Sequence, residues 1–277
     1  MRGRRRSSGS SSRVRFSGAT SGAAHGEWYR TIADHYDGLV NPVSRERTVD
    51  FLDRLFRRHR VARAVDVACG TFAIDLRLAK RGYEIAGRDL SPSLIRVARR
   101  SVRDAGHRAD IAVGDMRTLR MDKKFDAVLC LGTAFNYLVE PGEVHRALRA
   151  FRGLLRPGGL LVLDLTNFDA FIDHPMNVLV QTDYRAPDGT RVGIFAFNEQ
   201  NSSKTVHLAR FLTLVQSGRA IDIAFDEAPL KVWRKEGITR ALSSEGFRPV
   251  EWKGDLRIGA PYHRGKSSRL VVVAVSR

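Results

Sequence analysis

The chain is short of cysteine, of acidic residues and of long apolar runs. Only two cysteines occur in 277 residues, Cys69 and Cys130, each at the end of an apolar stretch. Two thiols make no disulfide framework, and no Cys-x-x-Cys pair offers a zinc site. No metal is therefore expected, and a reducing cytoplasm suits the chain best. No apolar run approaches the ~20 residues that span a bilayer, so no membrane partner is expected. Acids are outnumbered, 30 Asp and Glu against 47 Lys and Arg, for a net charge of +17. That balance invites a nucleic-acid partner. Its distribution argues the other way. Residues 1–26 hold six arginines and no acid, leaving 41 basic against 30 acidic residues in the rest. Arg96, Arg99, Arg100 and Arg103 share one helical face opposite Ile95, Ala98 and Val102, as solvated faces do.

Large apolar residues are nearly absent from 1–26, so this stretch reads as a disordered basic tail. Residues 27–60 read as a helical arm, 27–39 and 44–59, broken at Asn41-Pro42. From 61 to 169 strands and helices alternate. Strands begin near 63, 83, 109, 125 and 159, with helices near 73–81, 91–105 and 142–155. This alternation predicts an α/β fold with a doubly wound, mostly parallel sheet and a ligand outside the carboxyl ends of its strands. Residues 170–230 change to period-two segments at 178–184, 191–198, 205–215 and 219–226, an antiparallel β insertion able to act as a lid. Residues 231–277 supply a helix at 231–245 and two last strands, 248–254 and 269–275.

The chemistry concentrates in Ala64-Val65-Asp66-Val67-Ala68-Cys69-Gly70-Thr71, an apolar strand entering a small-residue turn. About 20 residues on, a second strand closes on Asp89, whose carboxylate can accept two ribose hydroxyls. The turn lacks both the Gly-x-Gly-x-x-Gly of a diphosphate binder and the Lys-Ser/Thr of a phosphate loop. It favours a nucleoside without a pyrophosphate. Ala68, Cys69 and Gly70 let the backbone approach that ligand. Asp115 ends the third strand, and Leu90 and Met116 flank the two acids as apolar neighbours.

These motifs, with Val113-Gly114-Asp115-Met116, Phe125-Asp126-Ala127-Val128-Leu129-Cys130 and Leu155-Arg156-Pro157-Gly158-Gly159-Leu160 in order, resemble the class I S-adenosylmethionine-dependent methyltransferases. The resemblance implies a seven-stranded Rossmann-like sheet whose last strand inserts antiparallel, and S-adenosyl-L-methionine as cofactor. It implies that Asp89 holds the ribose and Asp115 the adenine amino group, with Leu90 and Met116 against the ring. Within the class, three stretches resemble glycine N-methyltransferase-like and amino-sugar N-methyltransferase-like enzymes. They are Val128-Leu129-Cys130-Leu131-Gly132-Thr133-Ala134-Phe135-Asn136-Tyr137-Leu138, Asp164-Leu165-Thr166-Asn167-Phe168-Asp169 and Ile32-Ala33-Asp34-His35-Tyr36-Asp37. They imply a small-molecule acceptor, N-methylated or alternatively O-methylated. The chamber wall would include Leu131, Thr133, Asn136 and Tyr137, with Trp233 and Tyr184 from the lid. Tyr36 would point at the methyl group, and Arg45 or Arg47 would pair the cofactor carboxylate.

Two departures stand out. The usual third glycine of the turn is Phe72, and a ring there is expected to exclude φ > 0 and narrow the pocket floor. The Asn and Arg that grip carboxylate in glycine N-methyltransferase are Thr133 and Thr166, so glycine itself is expected not to bind. Three alternatives stay open: an RNA-directed methyltransferase, a fold relative using the cofactor for other chemistry, and a non-catalytic nucleoside binder. The adenine-methylating Asp/Asn-Pro-Pro-aromatic motif is missing, since Leu131-Gly132-Thr133-Ala134-Phe135 stands there. For a hydroxyl acceptor, His174, His207 or His263 is available as general base. The sequence leaves a homo-oligomer open.

Overall fold

Apolar strands alternating with amphipathic helices can bury both faces of a sheet only by winding helices onto each side. The computed structural model describes residues 14–18, 25–39, 42–170, 179–200 and 203–277. It begins with β1 (Val14–Gly18), α1 (His25–Ile32), α2 (Tyr36–Leu39) and α3 (Pro42–His59). The alternating segment follows as β2 (Arg63–Asp66), α4 (Ala73–Lys80), β3 (Glu84–Asp89), α5 (Pro92–Asp104), β4 (Ile111–Val113), β5 (Phe125–Cys130), α6 (Pro141–Leu154) and β6 (Leu155–Thr166). The insertion contributes β7 (Leu179–Arg185), β8 (Arg191–Gln200), β9 (Val206–Ser217) and β10 (Ala220–Lys231). The chain then adds α7 (Lys235–Ser244), β11 (Phe247–Lys253) and β12 (Arg269–Ser276).

The main sheet has seven strands in the order β11-β12-β6-β5-β2-β3-β4. Strands β6, β5, β2, β3 and β4 run parallel, and β12 lies antiparallel to both of its neighbours. The strand order reverses beside β2, which places the ligand crevice at the turn after it. One face buries Phe135, Phe151, Leu148, Leu163 and Phe247, and the other buries Leu52, Phe56, Phe72, Leu78 and Leu129. α5 starts where Ser91 caps it, its side chain accepting from the Leu94 amide at 3.3 Å, with Pro92 in the first turn.

The insertion forms a second sheet in the order β1-β10-β9-β8-β7. Its apolar face packs Val192, Ile194, Ala196, Ala209 and Phe211 against Ile32 and Phe168, a core of its own. Val14–Gly18 joins this sheet, parallel to β10 in the register Val14↔Ile221 to Gly18↔Phe225. The reading of 1–26 as a disordered tail is therefore corrected over Val14–Gly18. An open edge of β10 accepts backbone from any extended neighbour, so low apolar content does not prevent pairing. Residues 1–13 and 19–24, the Asn41 break and His174 lie outside the described residues. Among those described, no helix is long and apolar enough to cross a membrane.

Candidate active site

The turn after β2 is held by its own acids. Asp66 Oδ1 accepts the Ala68 amide at 2.9 Å, and the Cys69 amide donates to the Arg88 carbonyl at 3.0 Å. Gly70 has φ 54°, and a Cβ built there would meet nothing nearer than Tyr36 Cε1 at 4.0 Å. The space above the turn is open on the side that faces the arm. Asp89 sits across it and accepts the Gly70 amide at 2.9 Å through Oδ2 and the Ser91 amide at 2.8 Å through Oδ1. A carboxylate has about four lone-pair sites, so two remain for a diol. Beside it Leu90 is 65% and Val113 50% exposed, an apolar shelf suited to a flat ring. These residues fit an S-adenosyl nucleoside: a diol acceptor, an apolar shelf and a turn without side-chain bulk.

Phe72 follows another course than the sequence suggests. It adopts φ 63° and is wholly buried. Its ring lies under β3, where a Cβ on Gly87 would come within 2.8 Å of it. The pocket floor is not narrowed, because the ring points into the core. Burying a phenyl side chain contributes about 2–3 kcal/mol, which offsets the ~1–2 kcal/mol cost of a left-handed non-glycine residue.

The other named residues divide. Tyr36 begins α2 and lies half-buried over the turn; burial first, then Asp89, pushes its phenol up to about 12. Arg45 is buried and donates from Nη2 to the Asp37 carbonyl at 2.8 Å, while Thr71 Oγ1 donates to Asp37 Oδ1 at 2.7 Å. Arm and turn are thus latched through Asp37. Arg47 is exposed on α3. Asp115 departs from its expected availability. Arg117 donates to both of its oxygens, at 3.0 Å from Nε and 2.6 Å from Nη2, and holds its carboxyl below the usual range. Met116 packs partly against the core on one face of the sheet, and Leu131, just past β5, is buried in the core on the other. Cys69 is buried, and burial pushes its thiol up, so it is no thiolate nucleophile.

Asn136 does not line a chamber. It is fully buried, donates to the Lys231 carbonyl at 2.9 Å and accepts the Thr166 amide at 3.2 Å. Its amide ties β10 to the end of β6, so the chamber-wall expectation for Asn136 as a catalytic residue is corrected to one of positioning these strands. Trp233 is likewise buried, 5.9 Å centre to centre from Phe135 in the core, and lines no lid surface. Tyr184 does reach the site region: a Cβ on Gly38 would overlap its ring, so β7 rests on the arm. Trp28 of α1 stacks on Phe211 of β9 at 5.2 Å, a second arm-to-lid contact.

Thr133, with φ 76°, closes the turn after β5. Its hydroxyl lies 2.8 Å from that of Thr166, and Arg269 Nη1 donates to both, at 2.9 and 3.0 Å. Sequence reading found no guanidinium at this place. β12 brings one, because its first residue pairs with Thr166 in the antiparallel register.

Residues 64–159 match the methyltransferase domain family. The glycine/sarcosine N-methyltransferase of Parasynechococcus marenigrum (strain WH8102) is 31% identical over 150 residues, 53% of each chain, so this match spans about half of that relative. The glycine/sarcosine N-methyltransferase of Halorhodospira halochloris is 26% identical over 234 residues, 83% of this chain and 82% of that one. The structure of CalS10, an amino pentose methyltransferase of Micromonospora echinaspora bound to S-adenosylmethionine, superposes with a TM-score of 0.68 at 26% identity, covering 89% of this chain and 97% of its own. Residues 64–159 therefore carry a methyltransferase domain, and most of the chain is similar to S-adenosylmethionine-dependent N-methyltransferases.

Proposed function

We propose that the protein methylates a nitrogen on a small organic acceptor held between the arm, the carboxyl ends of β5 and β6, and the lid. The observation that carries this reading is the roof. Tyr36 stands over Gly70, Gly38 is pressed by Tyr184, and Trp28 stacks on Phe211, so arm and lid meet beside the cofactor turn. A covered site suits a compact acceptor and excludes water from the reacting centre. A polynucleotide needs an open trough. The relatives that act on glycine, sarcosine and an amino pentose support an amine of this size.

S-adenosylmethionine, when bound, would supply an electrophilic methyl group to the lone pair of a neutral acceptor nitrogen, its carbon–sulfur bond breaking, and the protonated amine would lose its proton on release. Asp89 would accept the ribose hydroxyls, Ala68, Cys69 and Gly70 would present backbone to the methionine part, and Leu90 and Met116 would flank the ring. Asp115 stays ionised beside Arg117, able to accept from the adenine amino group through its remaining lone pairs. Arg45 in the arm would pair the cofactor's carboxylate. Tyr36 stays protonated near neutral pH and offers a hydroxyl, not a base. Nitrogen needs no strong base, and orientation supplies most of the rate. Burial holds His207 down at about 4, a poor base for a hydroxyl acceptor at neutral pH. Two buried free cysteines suit a cytoplasmic protein.

The test is methyl-labelled S-adenosylmethionine incubated with the full chain and separate pools of small amines, phenols and RNA. Label on a small amine is the expected result. Label on RNA alone, or on hydroxyls alone, overturns the reading.

A further inference from the structure

The turn between β2 and α4 is acidic and has no counter-charge of its own. Asp66 ends β2, Asp75 lies in the first turn of α4, and Asp89 closes β3 across from them. Asp66 is 2% and Asp75 1% exposed. Asp66 Oδ1 accepts the Ala68 amide, whereas Asp75 Oδ1 has no hydrogen-bond partner. Among the described residues no Lys, Arg or His pairs with any of the three. Cys69 in the turn and Cys130 on β5 face the same acids, and burial keeps both thiols neutral. Over the turn stand Tyr36, a protonated phenol, and Arg45, whose guanidinium is engaged with Asp37. The arginines of the packed elements are committed elsewhere: Arg77 of α4 to Glu46, Arg81 just past α4 to Asp50, Arg88 of β3 to Asp110, and Arg96 and Arg100 of α5 to Asp34.

Two buried carboxylates without a cation do not both ionise, because each has lost its water and faces a like charge. A proton takes the place of the missing cation. Burial raises both carboxyls, Asp66 to about 7. The proton therefore stays under the turn at pH values where an exposed aspartate has lost it. The nucleoside that fits above brings the opposite charge. S-adenosylmethionine carries a sulfonium and an ammonium against a single carboxylate. S-adenosylhomocysteine keeps the ammonium and the carboxylate, but its sulfur is neutral. A cation set on the backbone of Ala68, Cys69 and Gly70 favours the ionised form of the carboxylate that holds the Ala68 amide.

We propose that Asp66 and Asp75 hold a proton beneath the turn in place of a counter-cation, and that the sulfonium of S-adenosylmethionine expels it, so that the turn tells the charged methyl donor from its uncharged product. This rests on the S-adenosylmethionine reading above. The carboxyl proton passes to water, and no other bond changes. Asp75 acts through Asp66: with no cation beside it, it keeps the pair from ionising until the ligand arrives. Because the cation favours the ionised pair, affinity for S-adenosylmethionine rises as pH rises through the free protein's value, and affinity for S-adenosylhomocysteine rises less.

The experiment follows binding of each nucleoside to the full chain by calorimetry. Two buffers of different ionisation heat count the protons released at pH 7, and Kd is measured from pH 6 to 8. S-adenosylmethionine should release about half a proton more than S-adenosylhomocysteine at pH 7. Its advantage in Kd should grow several-fold, by about tenfold at most, between pH 6 and 8. Asp66→Asn keeps an oxygen for the Ala68 amide but cannot ionise, so it should remove both effects. The ligands' own amino groups titrate alike in wild type and variant and cancel in the comparison. Infrared difference spectra of the wild type need no variant to fold: the protonated-carboxyl band should weaken more with S-adenosylmethionine than with S-adenosylhomocysteine. Equal proton release by the two nucleosides, an excess that survives in Asp66→Asn, or an unchanged carboxyl band overturns the proposal while cofactor binding stands. Failure of the wild type to bind either nucleoside overturns the cofactor reading and this inference with it.

Discussion

Asp89 carries two loads in the proposed function, since its oxygens hold the Gly70 and Ser91 amides and their remaining lone pairs would accept the diol. Asp89→Ala should weaken S-adenosylmethionine by about tenfold or more, because two hydroxyls lose their acceptor and the turn loses its tether. Calorimetry reads this directly, and unchanged affinity would remove Asp89 from the site. Phe72 teaches a narrower lesson. Its position in the turn was legible, but its direction was not, because φ and rotamer depend on what lies beneath. That neighbour is Gly87, 15 residues away in the chain, whose missing side chain admits the ring. Gly87→Ala should destabilise the protein by about 2–3 kcal/mol through overpacking against Phe72 and Cys69. Urea unfolding checks it, and an unaltered midpoint would mean the ring moves aside freely.

Elements were read well where period and burial agree. The strands from Arg63 to Thr166 and the helices between them start within a few residues of their expected places, since apolar runs ending in small-residue turns have few alternatives. Val14–Gly18 escaped because pairing at a sheet edge leaves no periodic trace in five residues. The turn between β2 and α4 has a property that only the packed elements reveal. Asp66 and Asp75 are both buried there, and Asp75 Oδ1 has no hydrogen-bond partner. Burial pushes both carboxyls up, Asp66 to about 7, with the like charges around them adding to it. A carboxyl raised on folding stabilises the protein below its unfolded value and loses that contribution as pH rises through the folded one. The free protein should therefore lose stability from Asp66 as pH rises from about 4 to about 7, with Asp75 acting in the same direction. Asp75→Asn cannot ionise, so its melting temperature relative to wild type should be about 4 °C more favourable at pH 8 than at pH 5. The same offset at both values would mean the pair does not titrate in this range.

At the scale of the molecule, the sequence revealed the two sheets and the cofactor crevice but not the acceptor side. Arg269 lies 103 residues from Thr166 and 136 from Thr133, and no local motif announces that β12 returns beside them. Trp233 failed for the complementary reason: an aromatic just after a β insertion looks like a lid residue until the core claims it. The two sheets also keep separate interiors, the lid closing over Ile194, Val192 and Phe211 while the main sheet is packed on both faces by other residues. Cooperativity follows from shared interior, so the lid has the means to melt first. Ile194→Ala should lower the temperature at which turnover stops by several degrees, roughly 2–4 °C per kcal/mol, while S-adenosylmethionine binding persists to nearly the wild-type temperature. Parallel loss of both on one curve would show a single cooperative unit. Where they part, heat inactivation and unfolding become different events, and the protein has two thermal limits: one for holding its cofactor, and a lower one for using it.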